Sequence, residues 1–164
     1  MNHIKKFNES VNNMKTLAIY PGSFNPFHIG HLNIVEKAER VFGKGNVIVA
    51  IGINPEKSVD ISSEEEKAKL ISSKIGRKVI VFDTFLHELI ESKEKEGYNV
   101  VIIRGLRNGA DLSYEDNQLK FILDFKKDTN MVFFLCDKGY EHISSSAIRN
   151  LEKFRKGSSN KYSV

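Results

Sequence analysis

Five runs of apolar and β-branched residues interrupt an otherwise mixed chain: TLAIY (16–20), NVIVAIGI (46–53), KVIVFD (78–83), NVVIIRG (99–105) and MVFFLCD (131–137). Each is nearly continuous in hydrophobicity, as strands covered on both faces are. The segments after them carry helical spacing. Ile34, Val35, Ala38, Val41 and Phe42 recur at three- and four-residue steps. Ser62 and Glu65 form a capping-box pattern ahead of KAKLISSKI. Phe85, Leu86, Leu89 and Ile90 open a third helix, Tyr114 to Phe125 carries a fourth, and Ser146 to Phe154 makes a fifth. Strand then helix, repeated along the whole chain, predicts an α/β fold: a Rossmann-like, doubly wound, five-stranded parallel sheet. With strand order 3-2-1-4-5, strands 1 and 4 flank the point where the order reverses. Ligands bind at such a point, outside the carboxyl ends of the strands.

Composition adds limits to this picture. A chain of 164 residues is enough for one domain with its own core. We expect that domain over 14–157, with 1–13 a flexible N-terminal extension and 158–164 a flexible tail. No apolar run approaches the length of a membrane span. The opening MNHIKKFNESVNNMK lacks the apolar segment of a secretory signal. Cys136 is the only cysteine, so neither a disulfide framework nor a cysteine metal site is expected. A cytoplasmic protein without a membrane partner is the expectation. The net charge of +4 hints at nucleic acid, but residues 1–13 carry +1 and 151–164 carry +3. The body between them is neutral, with 19 basic and 19 acidic residues, and a phosphate-tracking groove needs a clustered excess. Nucleic acid is therefore not the expected partner.

Polar segments follow the first, second, fourth and fifth strands. In PGSFNPFHIGH, about eleven residues separate the first apolar run from the helical pattern, more than a plain turn needs. Gly22 would let backbone amides approach a ligand, and Ser23 adds a hydroxyl. His28 and His31 stand three apart, with His31 in the first helical turn and Gly30 leaving space beside it. Amides at a helix N-terminus together with imidazole donors make an anion site. A metal reading of the histidine pair lacks a third ligand nearby. IIRGLRNGADLSYE places Arg104 and Arg107 around Gly105 at a strand end, where guanidinium forks suit phosphate oxygens. Glu115 could accept hydrogen bonds from a ribose, or serve only the helix terminus. Asp111 reads as an N-cap or an arginine's partner. In HISSSAIR, Ser144, Ser145 and Ser146 would cap a helix in any protein, and could equally cradle a second phosphate. Lys57, in GINPEKS after strand 2, is a candidate for a substrate phosphate.

The H-x-G-H loop resembles that of the nucleotidyltransferase superfamily, which includes class I aminoacyl-tRNA synthetases. YPGSFNPFHIGH, VAIGINPEKS, IIRGLRNGADLSYE and HISSSAIR, in this order, resemble the phosphopantetheine adenylyltransferase family over residues 16 to 150. The resemblance implies adenylyl transfer from ATP to 4′-phosphopantetheine, giving dephospho-coenzyme A and pyrophosphate with Mg²⁺, in coenzyme A biosynthesis. By motif position, ATP would meet Ser23, Phe24, His28, His31, Gly105, Leu106, Arg107 and Glu115. It would also meet the stretch Tyr140, Glu141, His142, Ile143, Ser144, Ser145 and Ser146, with His31 the catalytic residue. Ser23, Lys57, Leu86 and Arg104 would hold the phosphopantetheine. The family also implies a homo-oligomer, a hexamer. Three departures stand out: Asn25 where Asp is usual, His28 completing the motif, and a chain that stops soon after SSSAIRN, which weighs against the hexamer. The rival readings are a nicotinamide or nicotinate mononucleotide adenylyltransferase and a non-catalytic nucleotide-binding module. A synthetase fragment is disfavoured by the absence of a K-M-S-K-S segment.

Overall fold

The computed structural model describes residues 14–53 and 61–164. Lys57 and the N-terminal extension lie outside the described residues. Five parallel strands run β1 (Lys15–Gly22), β2 (Val47–Gly52), β3 (Val79–Phe82), β4 (Tyr98–Leu106) and β5 (Asn130–Leu135). The helices between and after them are α1 (Ile29–Phe42), α2 (Ile61–Ile75), α3 (Leu86–Lys95), α4 (Gly109–Phe125) and α5 (Ser145–Phe154). Their order in the sheet is β3-β2-β1-β4-β5, the expected doubly wound arrangement. In β1, Ala18 faces Val47 of β2 and Val101 of β4, which sets the register on both sides.

Alternation along the strands divides the core into two layers. Ala18 and Tyr20 of β1 join Val47, Val49 and Ile51 of β2 beneath α1 and α2, which contribute Ile34, Val35, Ala38, Ala68, Ile71 and Ile75. Leu17 and Ile19 point the other way, with Ile48, Ala50 and Ile102, toward Leu89 and Ile90 of α3. Both faces of the central strands are covered, which is why those runs show no alternation in sequence.

Several boundaries differ from the sequence expectation. Strand β1 continues through Pro21 and Gly22, and α1 begins at Ile29, so the loop spans only Ser23 to His28. Ser62, read as a helix cap, lies inside α2. Helix α4 begins five residues before Tyr114, because Asn108 Oδ1 accepts from the amides of Ala110 (3.0 Å) and Asp111 (3.3 Å). Where a flexible tail was expected from 158, Ser159 is buried and Val164 packs against the first core layer. Glu152 holds the Ser159 amide at 3.0 Å, and Lys74 Nζ donates to the Val164 carbonyl at 2.9 Å. Hydrogen bonding and burial seat this segment despite its polar composition. Among the described residues no helix is long and apolar enough to cross a membrane.

Candidate active site

The carboxyl ends of β1 and β4 open onto two adjoining cavities. The first, about 180 Å³, is walled by His28 and His31, by Leu106 and Arg107, and by Tyr140, Ile143, Ser144 and Ser145. The second, about 240 Å³, is walled by Ser23, Phe24, Arg104 and Glu115. Tyr20, His31, Gly105 and Ser145 line both, so the boundary between the cavities lies at these four residues.

His28 is the N-cap of α1. Its backbone N–H donates to Nδ1 of His31 at 3.3 Å. That bond makes Nδ1 the acceptor, so in the neutral ring Nε2 carries the proton and acts as a donor. Burial, and then the neighbouring His28, push the His31 pKa well below its ordinary value, so the ring is neutral at physiological pH. The two imidazoles stack with centroids 3.6 Å apart. His28 is buried, and neither of its ring nitrogens finds a partner among the described residues. Burial and the nearby Arg107 bring its pKa to about 4. An unpartnered imidazole in a cavity wall is costly unless something else completes its hydrogen bonds.

The loop is built around Phe24, whose φ of 45° turns the chain back. Its ring packs edge-on against Tyr20 (5.3 Å) and His31 (5.0 Å). A Cβ on Gly22 would lie 2.9 Å from that ring. The space where a Gly22 side chain would lie thus belongs to Phe24, while Gly22 itself lines the second cavity. Helix α5 clasps the same loop from outside: Ser145 Oγ donates to the Pro26 carbonyl at 2.9 Å, and Arg149 donates to that of Asn25.

The arginines are held by acids. Arg104 donates to both Glu115 oxygens, at 2.5 and 2.8 Å, and to the Pro21 carbonyl at 3.3 Å. Glu115, read from sequence as a ribose acceptor or a helix-terminus charge, accepts from Arg104 at both oxygens. Arg107 makes a two-pronged contact with Asp111 at 2.9 and 2.8 Å, which draws the Asp111 pKa down. Between the two arginines, a Cβ on Gly105 would fall 2.8 Å from Ile34 Cγ1 and 3.1 Å from the Tyr20 hydroxyl. Glycine there lets α1 and Tyr20 close over the strand end.

Of the two sequence readings of the serine turn, the helix cap is the one seen directly. Ser144 caps α5, accepting from Ala147 N–H at 3.1 Å, and its hydroxyl also meets that of Ser146 at 3.1 Å. The first amides of α5 have no intrahelical acceptor, and Ser144 takes up that of Ala147. Asn33 Nδ2 donates to Asp137 at 2.7 Å, fixing α1 to the segment after β5.

Most of the expected residues come together. Glu141, His142 and Ser146 belong to the turn but line neither cavity, and Leu86 packs into the second core layer beside Ile80 and Phe82. The sequence reading missed Tyr20, Ile34 and Cys136. Tyr20 and Cys136 were read as parts of apolar runs, yet each stands at or near the carboxyl end of its strand. Among the described residues no three His, Cys, Asp or Glu side chains converge as metal ligands.

The cytidylyltransferase-like family matches residues 19–151. The phosphopantetheine adenylyltransferase of Mycoplasma capricolum is 38% identical over 143 residues, covering 85% of this chain and 99% of that protein. The one from Mycoplasma mycoides is 36% identical over 87% of this chain and 100% of its own. The enzyme of that name from Clostridium tetani is 36% identical over 84% of each. A solved nicotinic acid mononucleotide adenylyltransferase from Plasmodium falciparum shares the fold, with a TM-score of 0.62 at 18% identity over 91% of this chain and 90% of that one. With most of its length matched, the chain belongs to the cytidylyltransferase-like family, among the phosphopantetheine adenylyltransferases.

Proposed function

We propose that the protein transfers the adenylyl group of ATP to the phosphate of 4′-phosphopantetheine, releasing pyrophosphate and forming dephospho-coenzyme A. One observation carries the reading: two cavities, each with an arginine in its wall, meet at His31. Adenylyl transfer needs two phosphate-bearing partners in line across one reacting phosphorus, and paired cavities supply that geometry. ATP occupies the Arg107 side, against the serine turn. The acceptor phosphate occupies the Arg104 side, beside Ser23, with Lys57 as a further contact.

An acceptor phosphate is already ionised, so no general base is required. Catalysis then rests on alignment and on stabilising charge in the transition state. His31, neutral with its proton on Nε2, donates to the phosphoryl group in transfer. It does not give the proton up. The resemblance implies Mg²⁺, which offsets polyphosphate charge when bound. The described side chains form no cage for it, so the triphosphate would supply its ligands.

The same reading makes the protein a cytoplasmic homo-oligomer. Exposed Leu112, Tyr114, Phe121 and Phe125 on α4 are apolar surface that an assembly would cover.

The test measures pyrophosphate release with ATP and each acceptor in turn. Phosphopantetheine should be consumed and nicotinic acid mononucleotide should not. Equal or faster turnover with the mononucleotide would overturn the assignment.

A further inference from the structure

Tyr20 is one of four residues that line both cavities, and the only one of them with a phenolic hydroxyl. Its ring belongs to the core, in contact with Phe24 and near His31. Its hydroxyl lies 3.1 Å from the point where a Gly105 side chain would begin. The absent side chain lets the oxygen come this close to Gly105, which itself lines both cavities. Among the described residues nothing hydrogen-bonds this hydroxyl, and it is not enclosed as the His28 nitrogens are. A buried tyrosine ordinarily finds a partner for its O–H. Here the open side is the junction of the cavities.

We propose that Tyr20 is a second catalytic donor, its hydroxyl hydrogen-bonding the phosphoryl group as it passes from one cavity to the other. This rests on the adenylyl-transfer reading above. An oxygen of the acceptor phosphate bonds to the α-phosphorus, and the α–β bridging oxygen leaves with pyrophosphate. Tyr20 keeps its proton throughout. Burial pushes its pKa up, which holds the group as a neutral donor across the working range. His31 and Tyr20 together then give the transition state two donors without adding positive charge. The cationic contacts are left to the arginines on either side.

Tyr20→Phe removes only the hydroxyl from a packed ring. kcat should fall roughly 10²-fold, as for loss of one preorganised donor, while KM for ATP and for phosphopantetheine stays within about twofold. Because the donor does not titrate, the ratio of native to variant kcat should be flat from about pH 6 to 9. Native kcat in a folded Tyr20→Phe protein would overturn the proposal, as would unchanged kcat with both KM values raised. A ratio that varied with pH would make Tyr20 an acid or base and would also overturn it. If Tyr20→Phe melts below the assay temperature, 3-fluorotyrosine at position 20 keeps ring and hydroxyl while strengthening the donor. A kcat above native is then expected, and one at or below it rejects the role. Failure of the native protein to use phosphopantetheine at all would instead reject the underlying reading.

Discussion

His31 accepts from the His28 amide through Nδ1 and lines both cavities, so its remaining nitrogen is the one available to a ligand. If that nitrogen acts mainly on the transition state, His31→Ala should lower turnover by roughly 10²–10³, about 2.7–4 kcal/mol, with a much smaller change in ATP affinity. Near-normal turnover in a folded variant would remove the catalytic role. The His28 pKa of about 4 has a second consequence. The unfolded chain takes up a proton on this residue first as pH falls, so stability is full above 6.5 and is lost between 6.5 and about 4. His31, shifted in the same direction, adds to that loss. His28→Thr should flatten the fall of melting temperature over this window, and an equal slope in both proteins would assign the effect elsewhere. Glu115→Gln separates two readings of one carboxylate. Since Glu115 holds Arg104 at both oxygens, losing its charge should raise the acceptor KM by about tenfold, the scale of one charged hydrogen bond, with little change for ATP. A rise confined to the ATP KM would restore the nucleotide contact that the resemblance implies.

Helix α4 shows what an element contributes beyond its apolar face. Its N-cap, Asn108, starts it early enough to bring Asp111 against Arg107. Asn108→Ala should cost about 0.5–2 kcal/mol of stability and raise the ATP KM, because the first turn orients the arginine. Thermal melting and steady-state kinetics check both halves. A variant as stable as the native protein would show that the cap is dispensable. Helix α5 works at its own N-terminus and along its flank, tying the Ser23–His28 loop through Ser145 and Arg149. Loop, serine turn and strand end are therefore one mechanical unit.

For the whole molecule, residues 158–164 belong to the packed body. Removing them takes away the Val164 contact with the first core layer and the Ser159 bonds to Glu152. Deletion should lower stability on the order of 1–3 kcal/mol, the scale of a buried valine, and should be visible as a lower melting temperature. An unchanged melting temperature would return this segment to the status of a free tail. The neutral charge of the body remains an argument against a nucleic-acid groove.

The order of elements and the polar segments that wall the two cavities were legible in the sequence. Doubly covered strands must be continuously apolar, and polar, glycine-bearing segments at their carboxyl ends mark where a ligand site can lie. Of the two roles the sequence left open for Asp111, the structure gives the N-cap to Asn108 and makes Asp111 the partner of Arg107. A cap among the three serines also followed from local spacing. The sequence could not say that Glu115 pairs with Arg104, that Phe24 fills the side-chain space at Gly22, or that Tyr20 stands where the cavities meet. Nor could it show the Ser159 and Val164 contacts that seat the last residues against the body. Each depends on how side chains or segments turn and pack once the sheet has formed. An apolar run records that a strand is buried. Only the tertiary structure decides which of its side chains ends at a cavity with its polar group exposed.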